Sequence, residues 1–128
     1  MTKLNKTQRC ILETSRNQQG LFVISKENKL QYKQAMKLVD IGILTHKFLD
    51  HYQVETFDEV EIYELLVMYR AKQTGKLARQ HQGRYHCYVN NKHFVIQYVP
   101  ETKQWVSASI NGVVGGFKTL KLAYQMCV

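Results

Sequence analysis

The 128-residue chain holds one proline, Pro100, only seven glycines and three cysteines. So little proline and glycine, without any low-complexity tract, speaks against a collagen-like or disordered chain. The cysteines, Cys10, Cys87 and Cys127, are odd in number, far apart and form no C-x-x-C. That argues against a disulfide framework or a zinc ribbon, and buried, reduced thiols are expected instead. No apolar run reaches the ~18 residues that span a bilayer. The opening "MTKLNKTQRC" also lacks the apolar core of a secretory leader. The expectation is a cytoplasmic protein with no membrane partner. Acids are the scarce charge, ten against 18 basic residues, for a formal net charge of +8.

Apolar residues make up 45% of the chain, enough for a core, and the length suits one domain or two very small ones. The shortage of acids is uneven. Residues 1–75 carry eleven bases and nine acids, whereas residues 76–128 carry seven bases and a single acid, Glu101. A cationic surface attracts polyanions without sequence preference.

Periodicity divides the first part into elements. "KTQRCILETSR" predicts a helix stopped by Gly20, and the apolar run "LFVI" predicts a short strand. Ser25 is the expected N-cap of a second helix that Gly42 ends. Lys26, Lys29, Lys33 and Lys37 fall three, four and four residues apart, which stacks four ammonium groups along one side of that helix. "TFDE" places Thr56 and Glu59 at capping-box spacing before a third helix with an acidic start and a basic end. "KLARQHQGR" then reads as a basic connector.

Three strands follow, Arg84 to Asn90, His93 to Val99 and Trp105 to Ile110, with a helix from Thr119. Alternation assigns Tyr85, Cys87, Val89, Phe94, Ile96, Tyr98, Val106, Ala108 and Ile110 to the helix-covered face. The other face would carry His86, Tyr88, His93, Val95, Gln97, Trp105, Ser107 and Ser109, a polar and aromatic surface. The predicted fold class is α+β: a helical, winged-helix-like part (1–75), a connector (76–83), and a three-stranded antiparallel sheet with a C-terminal helix (84–128).

The tryptophan strand "WVSASI" followed by "GGFKTLKLAY" carries a pattern at Trp105, Gly115, Phe117, Thr119 and Ala123. That pattern resembles the three-stranded-sheet-plus-helix DNA-binding modules of the ethylene-response-factor type and the arm-binding domains of tyrosine integrases. The resemblance implies a sheet that enters the major groove with the helix packed behind it. His86, His93 and Gln97 stand where such modules place arginines. The first half, helix, short strand, helix and "GIL", resembles a degenerate winged helix.

Reaction chemistry is hard to assemble from the remaining residues. His86 and Cys87 are adjacent and point to opposite faces of a strand, and His81 and His93 supply no evident third ligand. His46 and His51 near Asp50 meet the same objection. Gly115-Gly116 precedes a helix, but no G-x-x-x-x-G-K-[ST] pattern exists. No catalytic residue, metal or cofactor is therefore expected, and an enzyme is the least supported class.

Two functions remain. The first is a small basic nucleic-acid-binding protein, a regulator or accessory factor of a phage or mobile element. Lys26, Lys29, Lys33, Lys37, Arg84, Lys92, Lys118 and Lys121 would contact phosphates, and His86, Tyr88, Gln97 and Trp105 would line the reading surface. The second is a compact interaction protein, such as a phage-type inhibitor of a host nucleic-acid-processing machine, with an acidic protein partner.

Overall fold

The computed structural model describes residues 3–25 and 27–128. Along the chain it runs α1 (Lys6–Arg16), β1 (Leu21–Val23), α2 (Lys29–Ile41), β2 (Leu44–Phe48), β3 (His51–Val54) and α3 (Glu59–Thr74). There follow β4 (Ala78–His81), β5 (Arg84–Val89), β6 (Lys92–Val99), β7 (Gln104–Ser109), β8 (Gly112–Phe117) and α4 (Leu120–Gln125). The α+β class holds. Two compact units divide the chain, Met1–Leu66 and Val67–Val128, and the division falls inside α3.

In the first unit, α1 starts on a reciprocal cap. The Asn5 side chain accepts from the Gln8 N–H at 2.8 Å, and the Gln8 side chain accepts from the Asn5 N–H at 2.9 Å. Ile11, Leu12 and Ser15 are buried, the face expected from their spacing. Asn28, not Ser25, caps α2, its side chain accepting from the Gln31 N–H at 3.2 Å. Ser25 instead accepts from the Glu27 N–H within a local turn, which spends its hydroxyl before the helix begins. Lys26 lies outside the described residues.

Gly42, at φ 97°, closes α2 in the left-handed conformation that residues with a Cβ avoid. β1, which precedes α2, and β2 and β3, which follow it, form an antiparallel sheet in the order β1-β3-β2, with β2 and β3 joined through Leu49 and Asp50. At the start of α3 the expected Thr56 cap is displaced. Asp58 Oδ1 accepts from the N–H groups of Val60 (2.8 Å) and Glu61 (3.1 Å), and Thr56 Oγ1 accepts from the Asp58 N–H. A carboxylate directly before the first helical residue meets the helix dipole with a full charge, which a hydroxyl two residues earlier cannot do.

The second unit is a five-stranded antiparallel meander, β4-β5-β6-β7-β8. The expected three strands are its centre. Ala78–His81, read as connector, pairs with β5 through a two-residue turn in which Gly83 adopts φ 85°. Gly112–Phe117, where no strand is expected from the sequence, pairs with β7. A Cβ on Gly116 would lie 2.6 Å from Oε1 of the exposed Gln104 side chain, a contact that a change of the Gln104 rotamer would relieve.

α4, capped by Thr119 as expected, covers one sheet face. Cys87, Phe94, Ile96, Ala123 and Cys127 form the core there, with Trp105, Phe117, Leu120 and Tyr124 packed against it. Val67 and Ala71, from the C-terminal half of α3, cluster with Ala78 and Tyr88.

The β7 faces are the reverse of those expected. Tyr98 pairs with Trp105 and Ile96 with Ser107, so Trp105 and Ser107 share the α4 face, while Val106 and Ala108 pair with Gln97 and Val95 on the other. The turn between Val99 and Gln104 sets this register. Ser107 is fully buried and donates from Oγ to the Ala123 carbonyl at 3.1 Å, which satisfies its hydroxyl against α4. Alternation misleads where a sheet carries apolar cover on both faces.

Candidate functional site

Dividing the charge between the units is informative. Residues 1–66 hold nine basic and nine acidic residues, hence no net charge. Residues 67–128 hold nine basic residues and one acid, Glu101, so the whole excess of +8 resides in the second unit. Lys29, Lys33 and Lys37 project exposed from α2 in the balanced unit. Lys92, Lys118 and Lys121 are exposed in the cationic one, and Arg84 is half-buried there.

The expected reading surface of His86, Tyr88, Gln97 and Trp105 is not one surface. His86 is fully buried. Its Nε2 lies 2.7 Å from Gln80 Oε1, which also accepts from Arg84 Nε at 2.8 Å. Arginine only donates, so the shared Gln80 atom is an oxygen, and His86 Nε2 carries hydrogen. The other His86 nitrogen, Nδ1, lies 2.9 Å from His93 Nε2, and the two rings are nearly parallel. Tyr88 stacks on His93 and packs against Val67, Ala71 and Ala78. These residues tie β4, β5 and β6 together within the second unit. Trp105 stands on the opposite face of the sheet from Gln97 and the histidines.

A different aromatic group does come together. Tyr85, Tyr98 and Trp105 share the α4 face of the sheet. The Trp105 ring centroid lies 6.0 Å from that of Tyr85 and 5.3 Å from that of Tyr98, both tilted by about 60°. Trp105 and Tyr98 help line an open cleft of about 460 Å³ with His81, Gln82, Gly83, Gln97 and Pro100. The Tyr98 N–H donates to the Gly83 carbonyl at 2.8 Å, which fixes the β4–β5 turn beside the ring. Arg84 Nη1 donates to Gln97 Oε1 at 2.7 Å and so sets the amide of a lining residue. Of the residues lining this cleft, Gln97 and Trp105 belong to the surface expected from the sequence. His81, Gln82, Gly83, Tyr98 and Pro100 were missed as site residues. The available signal was "HQGR", a glycine-containing turn between two polar-apolar alternating stretches.

The buried thiols face away from reactivity. Burial, with Cys127 beside it, pushes the Cys87 thiol up to about 12. Burial likewise raises Cys127, whose Sγ donates to the Ala123 carbonyl. A nucleophilic cysteine needs the opposite shift. Cys10 is exposed. Iodoacetamide at pH 8 is therefore expected to modify one thiol of the native chain within minutes, and all three after denaturation, as counted by intact mass. Equal native reactivity at Cys87 would show that α4 does not cover it. Among the described residues no group of three His, Cys, Asp or Glu side chains is placed to hold a metal ion, and no helix is long and apolar enough to cross a membrane.

No family model, curated protein or solved structure matches the chain.

Proposed function

We propose that the chain binds nucleic acid, and that its contact surface lies on the unit Val67–Val128. The observation that carries this reading is the segregation of charge: the whole excess of +8 falls in the unit that also holds the aromatic cleft. Unbalanced cationic charge raises the local concentration of a polyanion and gives up bound counterions on contact. Aromatic rings beside it add contacts to bases that salt does not screen.

Anisotropy of a labelled oligonucleotide, single-stranded and duplex, tests this across a salt series. If about four phosphates are neutralised, affinity for a single strand should fall roughly 50-fold between 50 and 200 mM salt. Absence of binding at 50 mM salt, or affinity indifferent to salt, refutes the reading.

A second reading, protein contact, is favoured by the outer edge of the sheet. β8 is an edge strand whose residues, "GVVGGF", carry no charge, and Val113 and Val114 are 70% and 43% exposed. Such an edge is a template for strand addition by a partner. Val114→Lys should abolish a strand-addition complex while leaving oligonucleotide binding intact. A complex that survives this change would rule out pairing along β8.

A further inference from the structure

The geometry points to the cleft between the β4–β5 turn and the Tyr98–Trp105 pair as a pocket for one unpaired nucleobase, so that the nucleic acid bound is single-stranded. This inference rests on the nucleic-acid reading above and names the substrate class of the same unit. Its volume, about 460 Å³, falls in the range of small-molecule sites. Tyr98 and Trp105 are inclined at 59° with centroids 5.3 Å apart, so the two rings are not stacked face to face on each other. Tyr98 remains 36% exposed although its neighbours Phe94 and Ile96 on the same strand face are buried.

The polar rim supplies both signs of hydrogen bonding. His81 Nδ1 lies 2.9 Å from the Gln82 carbonyl, which only accepts. The neutral ring therefore carries its hydrogen on Nδ1 and keeps Nε2 as an acceptor. Gln97, which lines the cleft from the opposite strand face to Tyr98 and Trp105, has its Oε1 engaged by Arg84, so its amide can offer only N–H donors there. A base offers donors and acceptors on its Watson–Crick edge, together with a flat apolar face. Both are consumed by pairing and stacking in a duplex and presented by a single strand.

The charge nearby has the right sign for the phosphates that flank such a base. Arg84 bonds a lining residue, and Arg79 pairs in register with Tyr85. Lys103 lies in the turn between the lining residues Pro100 and Trp105. The unit's one acid, Glu101, is outnumbered there.

Trp105 is the chain's single tryptophan and lines the cleft, so a change in its emission on binding, with the fold intact, reports on this site. The full chain would be titrated at 50 mM salt with a labelled oligothymidylate of about ten nucleotides, an abasic strand of equal length and the matching duplex. The thymidylate strand should quench Trp105 and bind roughly tenfold more tightly than the abasic strand. Tyr98→Ala should remove most of that tenfold preference, whereas Tyr98→Phe, which keeps the ring and guards against a folding defect, should retain it.

Equal binding of thymidylate and abasic strands, or tight binding with unchanged Trp105 emission, overturns the base pocket while leaving nucleic-acid binding in place. Preference for the duplex overturns it as well. Failure of every oligonucleotide to bind removes both readings. Quenching by a proline-rich peptide but by no strand would make the cleft a peptide site and overturn the inference.

Discussion

Phe94→Ala is expected to destabilise the second unit by about 3–5 kcal/mol, enough to leave it largely unfolded at 25 °C. Phe94 is 2% exposed and belongs to the cluster on which α4 packs. Truncation removes the phenyl ring from the cluster it forms with Cys87, Ile96, Ala123 and Cys127, of which Ala123 and the two cysteines have little side chain with which to refill the space. A unit running from Val67 to Val128 is small enough for its total stability to be of similar size. Urea denaturation followed by Trp105 emission measures this directly, because Trp105 packs against the same cluster. Phe94→Leu, which conserves most of the volume, should lose under half as much. If Phe94→Ala moves the midpoint by less than ~1 kcal/mol equivalent, α4 does not close over this sheet as described. Ser107→Ala, by comparison, deletes one buried hydrogen bond to α4 and should cost about 1 kcal/mol.

The same cluster shows which parts of the fold are legible in the sequence. Helices were readable because their determinants are local: the periodic Ile11, Leu12 and Ser15, the stop at Gly42, and the cap at Thr119. Two caps differ from those expected because a side chain nearer the first helical turn takes the role, Asp58 in place of Thr56 and Asn28 in place of Ser25. The three central strands were readable from alternation. The two outer strands were not. β4 has four residues and a polar sequence, and its pairing with β5 depends on the turn at Gly83. β8 starts at Gly112, at φ 122°, and its three glycines leave no apolar-polar alternation from which a strand could be read.

The faces of β7 went wrong for a related reason. Register across a turn is a non-local quantity, and a slip of one residue exchanges every side chain between faces. Trp105 therefore moved from the expected reading surface to the company of Tyr85 and Tyr98. His86 moved from exposed to fully buried, because β4 supplies Gln80 where the sequence suggested a connector. The charge asymmetry, in contrast, was visible from the start. The two-unit division sharpens it, since moving the boundary from Gly75 to Leu66 transfers Arg70 and Lys72 to the cationic side.

That asymmetry yields the largest expected effect on binding. Arg79→Glu with Lys103→Glu takes the second unit from +8 to +4. Lys33→Glu with Lys37→Glu changes the total by the same amount but takes the first unit from balance to −4. Arg79, Lys103, Lys33 and Lys37 are all exposed, so none of these changes removes a core contact. Screening at 0.15 M salt confines an exposed charge to about 8 Å, so only charges near the nucleic acid should count. Each phosphate contact with a single strand contributes about 0.7 to the salt slope, and losing two should lower that slope by roughly 1.4. At 50 mM salt the corresponding loss of affinity is about 10–100-fold. The α2 pair should change affinity less than about threefold and leave the slope as it is, because no excess charge in that unit draws the strand toward those lysines. Parallel salt series on the two double variants decide the matter. Equal losses would mean that net charge alone governs binding and that Val67–Val128 holds no localised interface. A larger loss in the α2 pair would move the interface to the first unit and to the lysine stripe of its second helix.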